Sequence, residues 1–482
     1  MFDVAVIGCG IVGAAAAYEL SKYHLSVAVL ESENDVANGT TKANSAIIHA
    51  GYDPAPGTLM AKLNVQGSVM AKELCQKLDV PYRQIGSLVL AFSDEESKQV
   101  EKLYKRGKRN GVPHLSVLDS EQVKAIEPNL SGEVKSALYA PTAAIVSPWE
   151  YTLALAETAV RNGVKLYLNS GVTAIKKLED GGYELTTPNG VYQAKTVLNA
   201  AGIHSDMVHD MVAEHTFSIH PSRGQYYLLD KSEGSQVGRV IFQCPTKAGK
   251  GVLVSPTVHG NLIVGPDSEP VDRENLATTG DGLAYVAKMA RKSLPTLNLR
   301  QSIRNFAGLR AVTETDDFLI AQAEDAKGFI DLAGIKSPGL SAAPAIAVMA
   351  AQLLEQAGLK LEKKAEFIDT RKRIRFKELS MEEKAALIAK DPSYGRVICR
   401  CETITEGEIV ETFRSPIPPC SVDGIKRRAN AGMGRCQGGF CGPRVLEILA
   451  RELKKDPTEI VQDKAGTVIL VGETKAGGKC NV

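Results

Sequence analysis

Two sets of residues in this chain have the types and spacing to do chemistry. The first is Gly8-x-Gly10-x-x-Gly13, with Glu31 eighteen residues further on. A dinucleotide pyrophosphate needs that order of glycines: the first permits a tight turn, the second lets backbone approach phosphate, and the third packs helix against strand. Glu31 stands where a carboxylate accepts hydrogen bonds from ribose hydroxyls. The second set is made of thiols. Cys399 and Cys401 form a C-x-C pair, Cys436 and Cys441 a C-x4-C pair, and 34 residues separate the pairs. Four thiolates on two tight loops suit a tetrahedral zinc ion or a [2Fe-2S] cluster, and softness alone does not choose between them. Six of the nine cysteines fall after residue 398, a crowding that in a reducing compartment favours metal over disulfides. Cys420 lies on a proline-rich loop and Cys480 in a tail expected to be mobile, so neither is taken as a ligand.

Regular elements must hold these groups. Residues 3–7 read as an apolar strand running into the glycine turn, an alanine-rich helix starts near Ala14, and a strand over 25–30 ends in Glu31. The helix N-terminus brings unpaired N–H groups and a partial positive charge to the turn. Residues 38–52 follow as a polar loop of small residues leading into a helix or short strand. Residues 59–109 combine helical periodicity with a strand over 86–92, and their lysines read as a solvated face. Pro148 suits the start of a helix to Val160. Strands over 164–168, 171–175, 182–187 and 190–194 then lead to the Ala200-Ala201-Gly202 turn, and His204 most simply follows that turn. Residues 220–267 read as an antiparallel sheet in which Tyr226 and Tyr227 point to opposite faces, so that at most one lines a pocket. A final helix spans 342–356, and residues 360–393 carry dense mixed charge as a linker or arm.

Composition narrows the classes. The 482 residues allow two or three domains, and 44% hydrophobic with 23% charged residues is the balance of a soluble globular protein. A net charge of +1 gives no bulk attraction to nucleic acid or an anionic membrane, and the charged stretch lacks the interleaved aromatics of a nucleic-acid patch. The richest apolar stretch, 340–354, is interrupted by Ser341, Pro344 and Gln352, and no basic leader precedes the first strand. Neither a membrane span nor a signal peptide is expected, and the default compartment is the cytoplasm, with any membrane association through a partner.

The loop after residue 38 makes a resemblance specific. Its Ser/Thr-rich run followed by Ser45-x-x-x-His49-x-Gly51 resembles the flavin-contacting segment of the D-amino-acid-oxidase superfamily of FAD enzymes, especially the glycerol-3-phosphate and L-2-hydroxyglutarate dehydrogenase branches. Gly308-Leu-Arg310 is similar to that superfamily's Gly-x-Arg return strand, whose arginine grips an anionic substrate group, a task suited to a guanidinium fork. Gly334-Ile-Lys336-Ser-Pro-Gly339-Leu340-Ser341 resembles the segment that aims the final helix at the flavin's pyrimidine end. It keeps only Gly334 and Lys336 of the Gly-Gly-Lys-Leu-Thr-Thr pattern of the glycerol-3-phosphate branch and is closer there to the hydroxyglutarate branch. The cysteine pairs, with Gly432-Met-Gly-x-Cys436-Gln-Gly, resemble the bacterioferritin-associated-ferredoxin-like domain of anaerobic glycerol-3-phosphate dehydrogenases, and on that basis [2Fe-2S] is expected rather than zinc.

The resemblance implies an α/β fold with a Rossmann-like FAD-binding domain (1–85, 146–215, 306–360), an antiparallel β-sheet substrate domain (86–145, 216–305), a charged linker (361–394), a small α-rich [2Fe-2S] domain (395–455) and a tail (456–482). With the glycine turn and Glu31, it implies FAD contacts at Gly8, Gly10, Gly13, Glu31, Thr40, Thr41, Asn44, Ser45, Val172, Ala201, Gly202, Gly334, Gly339, Leu340 and Ser341, the Val172 backbone bordering adenine. Cluster ligation falls to Cys399, Cys401, Cys436 and Cys441. His49 is the candidate base for the substrate hydroxyl, and Arg310, helped by Arg223 and Lys336, the anchor for its anion. The implied reaction oxidises a small anionic hydroxy substrate, first glycerol 3-phosphate to dihydroxyacetone phosphate and second L-2-hydroxyglutarate or another 2-hydroxyacid. Electrons pass through the cluster to an electron-accepting protein or quinone-linked subunit. Two other classes stay open: an electron-transfer or redox-sensing subunit with no substrate oxidation of its own, and a zinc-bound C-terminal assembly platform.

Overall fold

The computed structural model describes residues 1–179, 181–245 and 251–474; Cys480 and the end of the expected tail lie outside the described residues. The chain forms two compact units, one of Met1–Ser32 with Val36–Arg371, the other of Glu33–Asp35 with the chain from Lys372 onward.

In the larger unit the runs 4–7 and 27–30 are apolar and buried residue after residue, as parallel strands covered on both faces must be. Five strands run parallel in the order Phe329–Ala333, Gly190–Asn199, Phe2–Ile7, Val27–Leu30, Lys165–Tyr167. Ala174–Lys177 and Tyr183–Thr187 extend the sheet as an antiparallel hairpin on the first half of Gly190–Asn199, and Leu319–Gln322 pairs antiparallel with Phe329–Ala333. The parallel strands deliver Gly8, Glu31, the turn over 200–202 and Gly334 to one edge of the sheet, the carboxyl edge at which open α/β sheets bind ligands. Near that edge Asn199 Nδ2 donates to Asp331 Oδ1 at 2.7 Å, and His209 Nδ1 lies 2.7 Å from Asp331 Oδ2. Nε2 of His209 faces the Glu214 carbonyl at 2.9 Å, so both ring nitrogens have acceptors, and the bond to Asp331 raises the imidazole above its usual range against the pull of burial.

The helix Ile11–Leu20 has only methyl groups at Ala14, Ala15, Ala16 and Ala17 and nests against Gly339–Gln356 and Pro148–Arg161. Leu59–Lys77 meets the first turn of Gly339–Gln356 at Gly67, where an added Cβ would lie 2.3 Å from the Ser341 carbonyl oxygen.

The second sheet of this unit has nine strands. It is antiparallel, as expected, except that Val240–Gln243 pairs parallel with Ser87–Ala91. Those strands come from segments far apart in the chain, so no hairpin constrains their direction. Leu88, Leu90, Ile241, Val254 and Val264 pack on Val286 and Ala290 of the helix Gly280–Ser293. A three-strand sheet joins Ile47–Ile48, Ala144–Val146 and Tyr82–Gln84.

Residues 361–394 do not run as one linker. Arg371 pairs with Glu157 at 2.7 Å and Asp369 with Lys77 at 2.8 Å within the larger unit. Beyond them Met381–Lys390 is a helix of the smaller unit with a Ser380/Glu383 capping box. In that unit the hairpin Val397–Cys399/Ile404–Thr405 and the helices Glu406–Glu411, Val422–Ala429 and Gly442–Leu453 enclose Ile404, Ile409, Ile425, Val445 and Leu449. The last helix shows the local logic: Pro443 in its first turn and an apolar stripe at Val445, Leu446 and Leu449. Residues after 455 are more than a tail, because Ile460 is buried in this core and Asp463 pairs with Arg427 at 2.8 Å. Asp35 belongs here too, 2.8 Å from Arg427 Nη2 and 2.7 Å from Arg428 Nη2. Burial alone would raise its carboxyl, and the two guanidiniums hold it below the usual carboxylate range.

Candidate active site and thiol centre

The glycine turn follows its strand with Gly8 at φ +93°, a backbone region that L-residues with side chains avoid. An added Cβ at Gly8 would meet the Ala200 carbonyl oxygen at 2.6 Å, and one at Gly13 would meet the Gly8 carbonyl oxygen at 2.0 Å. The turn is thus closed tightly on itself and on the turn that carries Ala201 and Gly202. The helix beginning at Ile11 has Gly10 as its N-cap and no acid in its first turn, and Thr41 takes only its Ile11 N–H, which leaves positive charge at this end for a pyrophosphate. Glu31 is buried at the neighbouring strand end and its Oε2 accepts from Cys9 N at 2.6 Å. Ser170 N donates to the Glu31 carbonyl at 2.7 Å, so the stretch containing Val172 runs beside the acid.

Thr40, Thr41, Asn44 and Ser45 lie on one irregular segment with bonds in three directions. Thr41 Oγ1 accepts from Ile11 N at 3.0 Å, Thr40 Oγ1 donates to the Leu309 carbonyl at 2.8 Å, and Ser45 Oγ lies 3.2 Å from the Tyr226 hydroxyl. Asn44 holds the bend, its Nδ2 donating to the Thr41 carbonyl and its Oδ1 accepting from Ala46 N, both at 2.8 Å.

The strands His220–Leu229 and Ser302–Val312 meet this segment with one face. Their register sets Ser222 opposite Arg310, Gly224 opposite Gly308 and Tyr226 opposite Phe306, and opposed residues share a face. Two glycines make the approach possible: an added Cβ at Gly308 would lie 1.9 Å from the Ala43 carbonyl oxygen, and one at Gly224 would lie 2.3 Å from Arg310 Nη2. Arg310 therefore lies flat along the partner strand, with Nη2 donating to the Asp267 carbonyl at 3.1 Å and Nη1 3.4 Å from Ser222 Oγ. Among the described residues no carboxylate pairs with it, so neutral acceptors orient its charge without cancelling it. Tyr226, stacked on Phe306 with ring centroids 4.8 Å apart, is the tyrosine on this face; Tyr227 packs on the other side of the sheet.

His49 follows the short strand Ile47–Ile48. Its backbone N donates to Ser341 Oγ at 2.7 Å, its ring stacks on Phe242 with centroids 5.7 Å apart, and Nε2 lies 3.2 Å from Ser337 Oγ. A cleft beside it is lined by Gly51, Asn64, Ser337 and Pro338. Gly334, at φ +63°, turns the chain after Phe329–Ala333. Gly339, Leu340 and Ser341 then form the first turn of a helix that has no side-chain cap and no acid there, a positive end suited to developing negative charge. His49 is thereby tied to that helix start, and the strand that carries Arg310 meets the segment over 40–45 through the Leu309 carbonyl and Gly308.

Two expected helpers are engaged elsewhere. Arg223 stands opposite Leu309 and so on the other face from Arg310; it is 2% exposed and bound to Glu269, Asn275 and the Ala277 carbonyl. One residue of strand parity removes it from the site. Lys336 pairs with Asp316 at 2.7 Å. His204 closes the short turn Gly202–His204, where burial and then the Arg273 charge push its imidazole down. Sequence reading left the choice between Tyr226 and Tyr227 open and missed Gly67 and Gly224 as positioning groups, and also Asp317, whose carboxylate accepts from Leu59 N and Met60 N at 2.8 Å and so caps the helix that carries Gly67.

In the smaller unit the four thiols come together as two pairs. Cys401 Sγ and Cys436 Sγ are 3.7 Å apart, close to the edge of about 3.8 Å for sulfurs bound at about 2.3 Å to one shared ion. A thiol–thiol hydrogen bond joins Cys399 and Cys441, and it pulls the Cys399 thiol down and pushes the Cys441 thiol up. Backbone N–H groups converge on the sulfurs, those of Gly432 and Glu402 on Cys399, of Cys436 on Cys401, and of Phe440 and Gly438 on Cys436. Among the described residues no three ligating side chains converge on a single ion; two pairs with amide donors fit a two-iron cluster.

Residues 3–353 match the family described as FAD dependent oxidoreductase, and residues 397–451 match the BFD-like [2Fe-2S] binding domain. The chain is 55% identical over 478 residues to glycerol 3-phosphate dehydrogenase of Caloramator mitchellensis, covering 99% of each chain. It is 32% identical over 277 residues to mitochondrial L-2-hydroxyglutarate dehydrogenase of Caenorhabditis elegans, covering 55% of this chain and 63% of that one. Among solved structures, dithionite-reduced L-α-glycerophosphate oxidase of Mycoplasma pneumoniae with FAD bound superposes with a TM-score of 0.73 at 34% identity, covering 77% of this chain and 98% of that one.

Proposed function

Because the chain belongs to the FAD dependent oxidoreductase family, we propose that it oxidises glycerol 3-phosphate to dihydroxyacetone phosphate and passes the electrons to a separate acceptor. The observation that carries the substrate reading is Arg310, whose charge meets only neutral acceptors on the face turned to the segment over 40–45. A phosphate dianion supplies the missing counter-charge through a bidentate fork. The likeness to glycerol 3-phosphate dehydrogenase spans both units, whereas the likeness to L-2-hydroxyglutarate dehydrogenase covers little more than half the chain.

When bound, FAD accepts the hydride equivalent and the [2Fe-2S] cluster moves electrons one at a time. The chain's residues do the rest. Gly8, Gly10 and Gly13 admit the pyrophosphate to the helix start, Glu31 holds ribose hydroxyls, the Val172 backbone borders adenine, and Ala201 and Gly202 make the second approach. Thr40, Thr41, Asn44 and Ser45, together with Gly334, Gly339, Leu340 and Ser341, would hold the flavin. Arg310 holds the phosphate, and His49 takes the proton of the hydroxyl that becomes a ketone, its ring steadied by Phe242 and Ser337. Cys399, Cys401, Cys436 and Cys441 hold the cluster. The reaction is read as cytoplasmic, with any route to a membrane through the acceptor; among the described residues no helix is long and apolar enough to cross one.

Rapid mixing with glycerol 3-phosphate tests this reading. It should bleach the flavin, with L-2-hydroxyglutarate far slower, and Arg310→Ala should lower kcat/KM by about 30-fold to several thousandfold, the cost of removing one partner of a shielded charge pair. Bleaching by L-2-hydroxyglutarate alone, or an unchanged Arg310→Ala enzyme, overturns it.

A further inference from the structure

The surface around the four thiols is unequal. Cys399 and Cys441 are buried, whereas Cys401 is exposed and Cys436 half-buried, so the outward pair marks the side on which a cluster would come nearest to solvent. Phe440 stands on that side. Its backbone N–H is held by Cys436 Sγ, and its ring projects into water at 87% exposure, while the next most exposed aromatic among the described residues, Tyr285, reaches 45%. Arg400 sits between Cys399 and Cys401, and Arg435 directly precedes Cys436; both are exposed, and neither has a carboxylate partner among the described residues. Of the acids in the same stretches, Glu402 is buried and Glu447 pairs with Arg444 at 2.7 Å.

Exposed arginines on the loops that also carry a projecting apolar side chain can form the rim of a small transient interface, in which the centre excludes water and the rim charges orient the partner. The net charge of the whole chain is only +1, so the attraction is a property of this rim and not of the molecule as a whole.

We propose that the face centred on Phe440 and edged by Arg400 and Arg435 docks an acidic one-electron carrier protein whose redox group lies behind a carboxylate-rich edge. This rests on the reading that electrons leave through the cluster. Oxidation of one alcohol to a ketone releases two electrons and two protons; two carrier molecules in succession each take one electron at this face, and the protons pass to solvent.

The test uses anaerobically purified holoenzyme, with the acidic soluble haem domain of cytochrome b5 as probe and basic cytochrome c as its opposite. With glycerol 3-phosphate present, reduction of the acidic probe should slow as salt rises from about 20 to about 300 mM. The double variant Arg400→Glu/Arg435→Glu should lower its low-salt rate constant by about 10- to 100-fold, and Phe440→Ser should slow it at every salt concentration. Iron content and flavin bleaching are measured alongside. Binding of the oxidised probe to the resting enzyme, followed by anisotropy of a labelled probe, needs no electron flow and should weaken in both variants. Unchanged binding and rates in the variants overturn the proposal. So does a preference for cytochrome c that salt abolishes, or electron delivery only to quinone in phosphatidylcholine vesicles. If substrate bleaches the flavin of the wild-type enzyme but leaves its iron oxidised, the electron-exit reading fails, and the binding arm still decides whether this face recognises an acidic carrier.

Discussion

Gly308 and Gly224 share one sheet face, yet adding a methyl group to each should damage different functions. In Gly308→Ala the new Cβ would sit 1.9 Å from the Ala43 carbonyl oxygen, about 1.5 Å inside ordinary contact, and both atoms belong to rigid backbone or hang directly from it. Either the Ser302–Val312 strand or the segment over 40–45 must retreat, and overpacking of this kind costs about 1 to 3 kcal/mol. If the segment proposed to hold the flavin yields, FAD binding should weaken by about 5- to 150-fold. In Gly224→Ala the nearest atom, at 2.3 Å, is Arg310 Nη2, the end of a flexible side chain, which can swing away. FAD should stay bound, and the loss should appear as a raised KM for glycerol 3-phosphate as the guanidinium leaves its cradle. Flavin fluorescence on serial dilution gives the FAD affinity, and steady-state kinetics with saturating FAD gives KM. If Gly308→Ala binds FAD like the wild type, or Gly224→Ala sheds it equally, the glycine pair does not separate cofactor from substrate and the reasoning fails.

Three further outcomes follow from the same geometry. His49→Asn should slow flavin reduction in rapid mixing by about 100-fold or more, with a smaller change in substrate affinity, because the proposed proton acceptor is lost and the proposed anion anchor kept. Cys441→Ser should abolish the cluster, seen as loss of about two irons and two labile sulfides per chain, while substrate still bleaches the flavin. For His209, whose pairing with Asp331 raises the imidazole, the charged form stabilises the fold. The stability difference between wild type and His209→Gln should be full below about pH 6.5, the unfolded value, and shrink as pH rises through the raised folded value. Urea unfolding at acid and alkaline pH checks the sign, and a difference that grows with pH would contradict it.

What could be read from the sequence was local. The strand, the three glycines and Glu31 lie within one short stretch, and each C-x-C or C-x4-C pair makes its own loop, so spacing alone marks these residues, while the choice of cluster over zinc rested on the resemblance. The misreadings share a cause in long-range register. Arg223 and Arg310 both belong to strands of one sheet, and only the pairing of Arg223 with Leu309 reveals that they face opposite ways. Gly224 and Gly308 had a visible signal, a glycine in each of two strand-forming runs, but its meaning needed the pairing that puts them opposite each other. The boundary near 371 and the core position of Ile460 were hidden because dense charge reads as linker whether or not its few apolar residues dock.

The presence of Glu33–Asp35 in the smaller unit means that this unit is not a cassette. A graft of residues 372–482 onto another oxidoreductase would carry Arg427 and Arg428 without their buried carboxylate, and breaking such a pair costs about 3 to 5 kcal/mol. The recipient must therefore supply an acid four positions after its ribose-binding residue, where its own fold asks for none. Conversely, a lineage that discards the unit frees that position to drift. In a genome survey, an acid at the position of Asp35 together with tandem arginines near the C-terminus would report a resident iron-sulfur module, and an engineer building a chimera would need two cuts in the gene and not one.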